Sequence, residues 1–401
     1  MAETPVKLEE QKQDSFSSVK LAKYGITARS VVIGFLLSPL NAYWVVQMEL
    51  TKYSGHPSTF SLFFNCIFLL LILIGLNAIV SRFAPKLVLT QRELLTIYLI
   101  IETATAIGGH DQLEVLVSTI SHPHYFATAE NKWDSLFLYM LPDWLIVTDM
   151  ATLKDLYMGQ SEMWTMRHLM AYTKPILAWF AFFMVMYVTL MAMNVITRKQ
   201  WAEREKLSFP LVALPLEMTA PDNRFFKSRL MWIAFAIPCV INTIDNLHML
   251  FPAVPLIQTE SYNINTFITA WPWTAVGWLP VSFYPWAIGI GFLLPLDLLF
   301  SCWFFFLFWK GESVAAAALQ LGQNNPRAPY IGEQAFGGYI GLALFAIWAM
   351  RSHLVEVFNK VLGRKSWLDD TGEAMTYRWA FLLTVFGFIG MVWFKIGRAH
   401  V

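Results

Sequence analysis

Charge is scarce in this chain. Asp, Glu, Lys and Arg make up 14% of its 401 residues, against roughly a quarter in an ordinary soluble domain. With 56% hydrophobic residues there is too little polar surface for a conventional soluble fold. Cysteine is almost missing: Cys66, Cys239 and Cys302 all sit in apolar runs, which excludes a disulfide framework or a metal knuckle. A basic surplus is missing too. The formal net charge is +1 and no basic arm stands out, so nucleic acid is not an expected partner. There is no nucleophile elbow, P-loop, His-Glu-x-x-His or Gly-x-Gly-x-x-Gly, so neither an enzyme nor an ATP-driven pump is expected, and no cofactor. Repeats of solenoid period and runs of alternating strand character are also lacking.

What the chain does have is long apolar runs. A helix needs about 20 mostly apolar residues to cross a bilayer. Such runs lie at 28–50, 58–81, 174–197, 229–251, 283–309 and 379–395, while 93–110 and 331–350 are apolar but carry Glu102 and Glu333. Eight crossings follow at face value. Residues 262–280 are uncharged but interrupted by Pro272 and closed by Pro280, which reads as a half-helix or a short ninth crossing. The expected fold is all-α: a polytopic transmembrane helical bundle of about eight or nine spans, with broken or re-entrant helices. Its 32 Phe and 17 Trp suit lipid and headgroup depth.

Lys and Arg orient such a bundle, because short cytoplasmic loops are enriched in them. Lys7, Lys12, Lys20, Lys23 and Arg29, then Arg82, Lys86 and Arg92, then Arg198, Lys199, Arg204, Lys206, Arg224, Lys227 and Arg229 fit an N terminus inside. Residues 1–27 are then a polar cytoplasmic tail, the first helix acts as the membrane signal, and 28–395 form the membrane domain. The acidic stretch 111–173, punctuated by Trp133, Trp144 and Trp164, is expected outside as short surface helices. The rule fails late. With eight crossings Arg351, Lys360, Arg364, Lys365 and Arg378 would lie outside; counting 262–280 as a crossing restores the alternation, and a dip and return at Val314–Gln320 is the alternative. The expected location is the cytoplasmic (inner) membrane. Residues 396–401, Ile396 to Val401, read as a translated sequencing adapter, ending a truncated gene model inside its last visible helix.

An ionisable group inside a span costs about 2.5–3.5 kcal/mol on insertion scales, so each one asks for a reason. Asn242, Asp245, Asn246 and His248 share an arc of about 160° on one helix. A carboxylate and an imidazole three residues apart can relay a proton or grip a cation; a polar cap before Phe251-Pro252 is the plainer alternative. Glu102 lies mid-span beside Thr103 and Thr105, suited to proton coupling or to a hydrogen bond between helices. Asp297 follows Pro295 by two residues and Asn41 follows Pro39 by two, where a broken helix can line a cavity. Glu333 precedes Gly337 and Gly341, a small-residue face for close helix packing, and reads as a cap or as cavity lining. Asn65 and Asn77 read as glue between helices. His122-Pro123-His124 lacks a third ligand, so no metal site is expected.

Three stretches resemble the oligopeptide transporter superfamily, including its prokaryotic branches with no assigned activity. They are Thr27-Ala28-Arg29-Ser30 running into Gly34 and Leu40-Asn41-Ala42-Tyr43; Arg204-Glu205-Lys206-Leu207-Ser208-Phe209-Pro210; and Glu333-Gln334-Ala335-Phe336-Gly337-Gly338-Tyr339, preceded by Asn324-Asn325-Pro326. After Phe209-Pro210 the pattern departs: the family has small Gly and Ser residues, this chain Leu211-Val212-Ala213-Leu214-Pro215. The resemblance implies inverted repeats with broken or re-entrant helices, and more helices than this chain carries.

The expected function is a secondary active transporter, proton-coupled, for a small polar solute or peptide. Asn41, Glu102, Asn242, Asp245, Asn246, His248, Asp297 and Glu333 are the candidates for solute binding or coupling. Membrane lipid, the solute and protons are the expected partners, and a homo-oligomer is compatible with all of this. Two other readings stay open. An intramembrane enzyme acting on lipid-linked substrates would want carboxylates clustered at the interface, and a non-catalytic membrane scaffold would not need the Asn-Asp-Asn-His face.

Overall fold

A computed structural model describes residues 26–396, apart from 54, 61, 160, 208, 258, 260 and 322–326. The tail before residue 26, Ser208, Asn324-Asn325-Pro326 and residues 397–401 of the adapter-like end lie outside the described residues. The described residues are 74% helical with almost no sheet. Among them six helices are long and apolar enough to cross a membrane, or seven if the bent pair Ile331–Ala349 and Arg351–Val361 counts as one span.

That is fewer than the eight or nine expected, for two local reasons. Residues 91–108 do form a helix, but Arg92, Glu93 and Glu102 dilute its apolar character. Residues 262–280 form neither a half-helix nor a crossing. They make a two-residue antiparallel ladder of β1 (Tyr262–Asn263) and β2 (Pro280–Val281) around two 3-10 turns, Ile264–Phe267 and Trp273–Val276. Pro272 and Pro280 each lack the N–H a helix would need, and the Asn263 side chain accepts from the N–H groups of Asn265 and Leu279, closing the loop.

Two compact units emerge. The first, reaching to Val115 and including Val212–Arg229, is built on α1 (Ala28–Val46), α2 (Phe64–Phe83) and α3 (Gln91–Gly108). Thr27 caps α1 through the Ser30 N–H, and a Thr90–Glu93 capping box opens α3. The pairing of their successive residues shows that α1 and α3 run parallel. Side chains tie them at equivalent heights: Arg29 to Glu93 at their starts (2.6 Å), Asn41 to Thr105 (2.7 Å), and Glu49 to the His110 N–H at their ends (2.9 Å). Polar groups share the interior with apolar ones. Ser30, Asn41, Glu49, Asn65 and Thr105 are fully buried beside Val45, Leu70, Ile97 and Ile101, whereas Phe35, Leu36 and Phe83 are exposed. Lipid tails are as apolar as leucine, so large apolar side chains can face outward while polar groups cannot.

The second unit contains α4 (Val115–Tyr125), α5 (Met150–Met158) and α6 (Met166–Lys199), then, after α7 (Pro210–Met218) of the first unit, α8 (Arg229–Leu250), α9 (Pro285–Leu293), α10 (Leu296–Ala318), α11 (Ile331–Ala349), α12 (Arg351–Val361) and α13 (Tyr377–Ile396). The run 283–309 splits at Leu294-Pro295 into α9 and α10, and α10 extends to Ala318, so Val314–Ala318 is helical and Leu319-Gln320 form a turn. At 34 residues, α6 is about 51 Å long, well beyond the ~30 Å hydrocarbon core. It packs antiparallel to α13, with Trp179 beside Phe394 at one end and Arg198 beside Glu373 at the other. At Gly387 an added Cβ would lie 1.9 Å from Thr189 Oγ1, so the two backbones meet closely there.

The basic end of α6 is an interlock. Arg198 grips Glu373 through two hydrogen bonds (2.6 and 2.7 Å), and Lys199 donates to the Asp369 carbonyl. Lys360 meets Asp370 at 3.0 Å, the His353 ring meets the Ile196 carbonyl at 2.7 Å, and the Arg204 guanidinium lies 3.9 Å over the Trp367 ring. Residues 198–204 and 351–378 therefore share one side of the bundle. Segments 145–149 and 162–172 gather at the other end of α6, through Trp179 to the Leu145 carbonyl, Asp149 to Arg167, and His168 to the Glu162 carbonyl.

Two outcomes follow. Gly387→Leu forces α13 off α6 and costs about 1–3 kcal/mol, read as a lower Tm in detergent, whereas Gly338→Ala, which meets open space, leaves Tm unchanged. The Arg198 hydrogen bond holds the Glu373 carboxyl below its ordinary value of 4.5. A depressed carboxyl stabilises the fold above that value and loses its contribution as pH falls through the lowered one. Glu373→Gln is thus less stable than wild type at neutral pH, and its stability falls less on acidification.

Candidate functional site

The polar face foreseen on α8 lines a groove. Asn242, Asp245, Asn246 and His248 face Leu256, Ile257, Thr259, Phe283, Tyr284 and Trp286 across a space of about 1220 Å³, somewhat above the usual range for small-molecule sites. The sequence builds it simply. Pro252 ends α8, the chain folds back along the helix, and the polar face ties it down. Asp245 Oδ1 accepts the Ile257 N–H at 2.8 Å, and the His248 ring hydrogen-bonds through Nδ1 to the Val254 carbonyl. That bond makes Nδ1 the donor and leaves Nε2 of the neutral ring as an acceptor. Asn246 donates to the Asn242 carbonyl one turn back. Opposite, the Tyr284 and Trp286 rings stack at 6.0 Å. Among the described residues the lining holds one carboxylate and one imidazole and no Lys or Arg. Such a groove suits a solute with N–H donors or positive charge. Asp245 and His248 serve the local fold as well: the capping role and the lining role coexist.

The other four candidates lie elsewhere. Asn41 sits in a buried knot at the meeting of α1, α2 and α3. Its amide donates to Thr105 Oγ1 (2.7 Å), Asn65 donates to Asn41 Oδ1 (2.8 Å) and to Thr105 Oγ1 (3.0 Å), and Cys66 Sγ lies 3.2 Å from the same hydroxyl. This is helix glue at a shared crossing. Glu102 is half-buried on α3, with the Tyr98 hydroxyl donating to it at 3.4 Å. Asp297 and Glu333 are exposed in the first turns of α10 and α11, where a negative charge complements the helix dipole.

Two buried charges escape a reading of the sequence. Lys310, one residue past the apolar run 283–309, lies within α10, where its ammonium donates to the carbonyls of Val276 (3.1 Å) and Trp278 (2.7 Å) and stands 4.4 Å over the Trp309 ring. It pins the turn at Trp273–Val276. Glu49, inside the apolar run 28–50, is fully buried. Both α1 and α3 end in a π-helical turn, Gln47–Thr51 and His110–Glu114, a device frequent at functional sites. The two turns bring Glu49 against Ser58 and His110: its carboxylate accepts the Ser58 N–H (2.8 Å), the Ser58 hydroxyl (3.0 Å) and the His110 N–H (2.9 Å). Gly109 permits this approach, since a Cβ there would fall 2.2 Å from the Ser58 side chain. Glu114 is 8% exposed in the same group, and His56 stands edge-on to His110 at 5.5 Å. Among the described residues no cluster of three or more His, Cys, Asp or Glu could hold a metal ion.

Residues 20–397 match a family of unknown function, DUF6785, and the chain belongs to that family. No curated protein and no solved structure matches significantly.

The knot gives a direct test. Thr105→Val keeps the side-chain shape but removes the acceptor for two buried amides, Asn41 and Asn65. The expected cost is about 1–3 kcal/mol, seen as a lower Tm of the detergent-solubilised protein.

Proposed function

We propose that this DUF6785 protein is a proton-coupled secondary transporter of the cytoplasmic membrane, carrying a small polar solute or peptide. The observation that carries the reading is the α8 groove, where four polar side chains converge opposite stacked aromatic rings, with no Lys or Arg among the described lining residues. Asp245 and the acceptor-rich wall around it would hold an ammonium or other N–H donors of the solute. The resemblance to oligopeptide transporters at Thr27–Tyr43 and Arg204–Pro210 supports a carrier. A scaffold has no use for the polar face.

In this reading the N terminus is inside, and so are the basic segments 198–204 and 351–378, which the interlock holds together. The segments gathered at the far end of α6 are outside. α3 is a true crossing, set between its neighbours by the parallel pairing with α1. An even number of crossings then separates Arg204 from Arg351. Of α8, the broken α9–α10 and α11, two cross fully and one enters and leaves on the same face, which keeps the broken or re-entrant helix of this architecture.

The full chain in proteoliposomes, given labelled dipeptides, amino acids and amines under an inward proton gradient, tests the proposal. Uptake is expected for amine-bearing solutes, and Asp245→Asn should reduce it at least tenfold. Undiminished uptake by Asp245→Asn would overturn the assignment of the groove, and no gradient-driven uptake of any of these solutes would overturn the transporter.

A further inference from the structure

We infer that His168 is a proton-operated latch at the start of α6: the doubly protonated ring clasps the end of α5, and loss of one proton lets it go. The latch stands whether or not the chain is a transporter; that it reads the pH outside rests on the orientation given above.

Protons can be counted from the contacts. His168 is buried, and both of its ring nitrogens meet oxygen. Nδ1 lies 2.7 Å from the Glu162 carbonyl, and Nε2 lies 3.0 Å from Asp155 Oδ2. A carbonyl only accepts, so Nδ1 carries a proton. The contact between Nε2 and Oδ2 needs a second one. A neutral ring beside an ionised carboxylate has a single proton for the two contacts. The observed arrangement therefore holds one proton more, shared between ring and carboxyl. When it leaves, the lone pair of Nε2 faces a carboxylate oxygen at 3.0 Å, and attraction turns to repulsion.

Asp155 across the gap and Arg167 beside the ring are the charged groups that act on it. The ionisable groups around them are engaged in turn. Arg167 bonds Asp149 at 2.7 and 2.9 Å, the Tyr172 hydroxyl meets Ser121 of α4 at 3.0 Å, Tyr157 stacks on Tyr125 at 4.2 Å, and His122 stacks on Phe126. His168 precedes the apolar run 174–197 by six residues, which places it at the membrane border rather than in hydrocarbon. The Glu162 carbonyl first, and Asp155 second, hold the ring charged above its ordinary value of 6.5. A raised value means that the latch is fully made below 6.5 and lost as pH rises through the raised one.

The geometry also says what moves. At its start α5 is anchored: Arg167 holds Asp149, the Val147 N–H donates to the Ile120 carbonyl at 3.0 Å, and Trp179 donates to the Leu145 carbonyl. At the other end of this nine-residue helix, Asp155 answers to His168. Loss of the proton therefore frees the Asp155 end while the Asp149 end stays fixed.

Spin labels at Met158→Cys and Met170→Cys, both exposed positions, report the α5–α6 distance by pulsed electron resonance. The full chain is used in lipid nanodiscs, with Cys66, Cys239 and Cys302 replaced by alanine. One short distance is expected at acid pH, and a second, longer one should take over as pH rises above neutrality. Nitrogen-15 NMR of histidine-labelled wild type, assigned through backbone correlations, should show both His168 nitrogens protonated in the first state and Nε2 bare in the second. Asp155→Asn offers an acceptor to the charged ring and a donor to the neutral one, so there the short distance should persist at every pH. A wild-type distance that ignores pH, or one that responds equally in folded Asp155→Asn, overturns the latch. A ring that gives up its second proton below the ordinary 6.5 overturns it too, and that spectrum needs no variant.

Discussion

Asn41, Asn65 and Thr105 meet on one hydroxyl between three helices, and the first unit depends on that meeting. In hydrocarbon there is no water to satisfy an amide that loses its partner, while apolar side chains gain nothing by leaving lipid. The helices are therefore selected by where their polar groups can pair. Each polar layer fixes the α1–α3 register again, and a slide of even one residue would break the Arg29–Glu93 pair, the central knot and the Glu49 junction together. Three weak ties at different depths make a single stiff alignment.

The second unit solves the same problem at its ends. Along their length α6 and α13 meet through the small residues Ala192, Ala380 and Gly387, through Val195, Ile196 and Tyr377, and through the stacked rings of Phe182 and Phe394. Specificity comes from the water-facing border, where Arg198, Lys199 and Lys360 engage Glu373, Asp369 and Asp370. Pairs that are partly wet are individually weak. Here the fork of Arg198 closes on a Glu373 side chain that is only 1% exposed, and the neighbouring pairs share one short loop, so they act as a network. The network also places the late basic cluster, 351–378, beside the basic end of α6.

Much of this was legible in the residues, and the rest was hidden for physical reasons. Long apolar runs mark most of the helices, since length and composition alone decide whether a segment can span. The face Asn242–His248 was readable from helical spacing, and its four members do line one groove. Residues 262–280 misled because an uncharged aromatic run looks the same whether it crosses or folds into turns; Asn263 and the two prolines decide it through hydrogen bonds that no average over composition records. Glu49 was concealed by its company: one acid inside a run of apolar residues counts as an apolar run. Its significance needs Ser58 and His110, 9 and 61 positions away. Lys310 was lost in the same way, at the border of a run, with partners 32 and 34 residues earlier.

The two acidic regions illustrate different ways of making a carboxylate useful near lipid. Asp245 gives one oxygen to the Ile257 N–H and keeps the other toward an open groove, an arrangement that tolerates exchange of a ligand. Glu49 gives both oxygens to the protein, which suits a structural tie rather than a ligand. Its partners, Ser58 and the His110 N–H, join the π turn that ends α1 to the one that ends α3, so the irregular helix ends are where the two parallel helices are fastened.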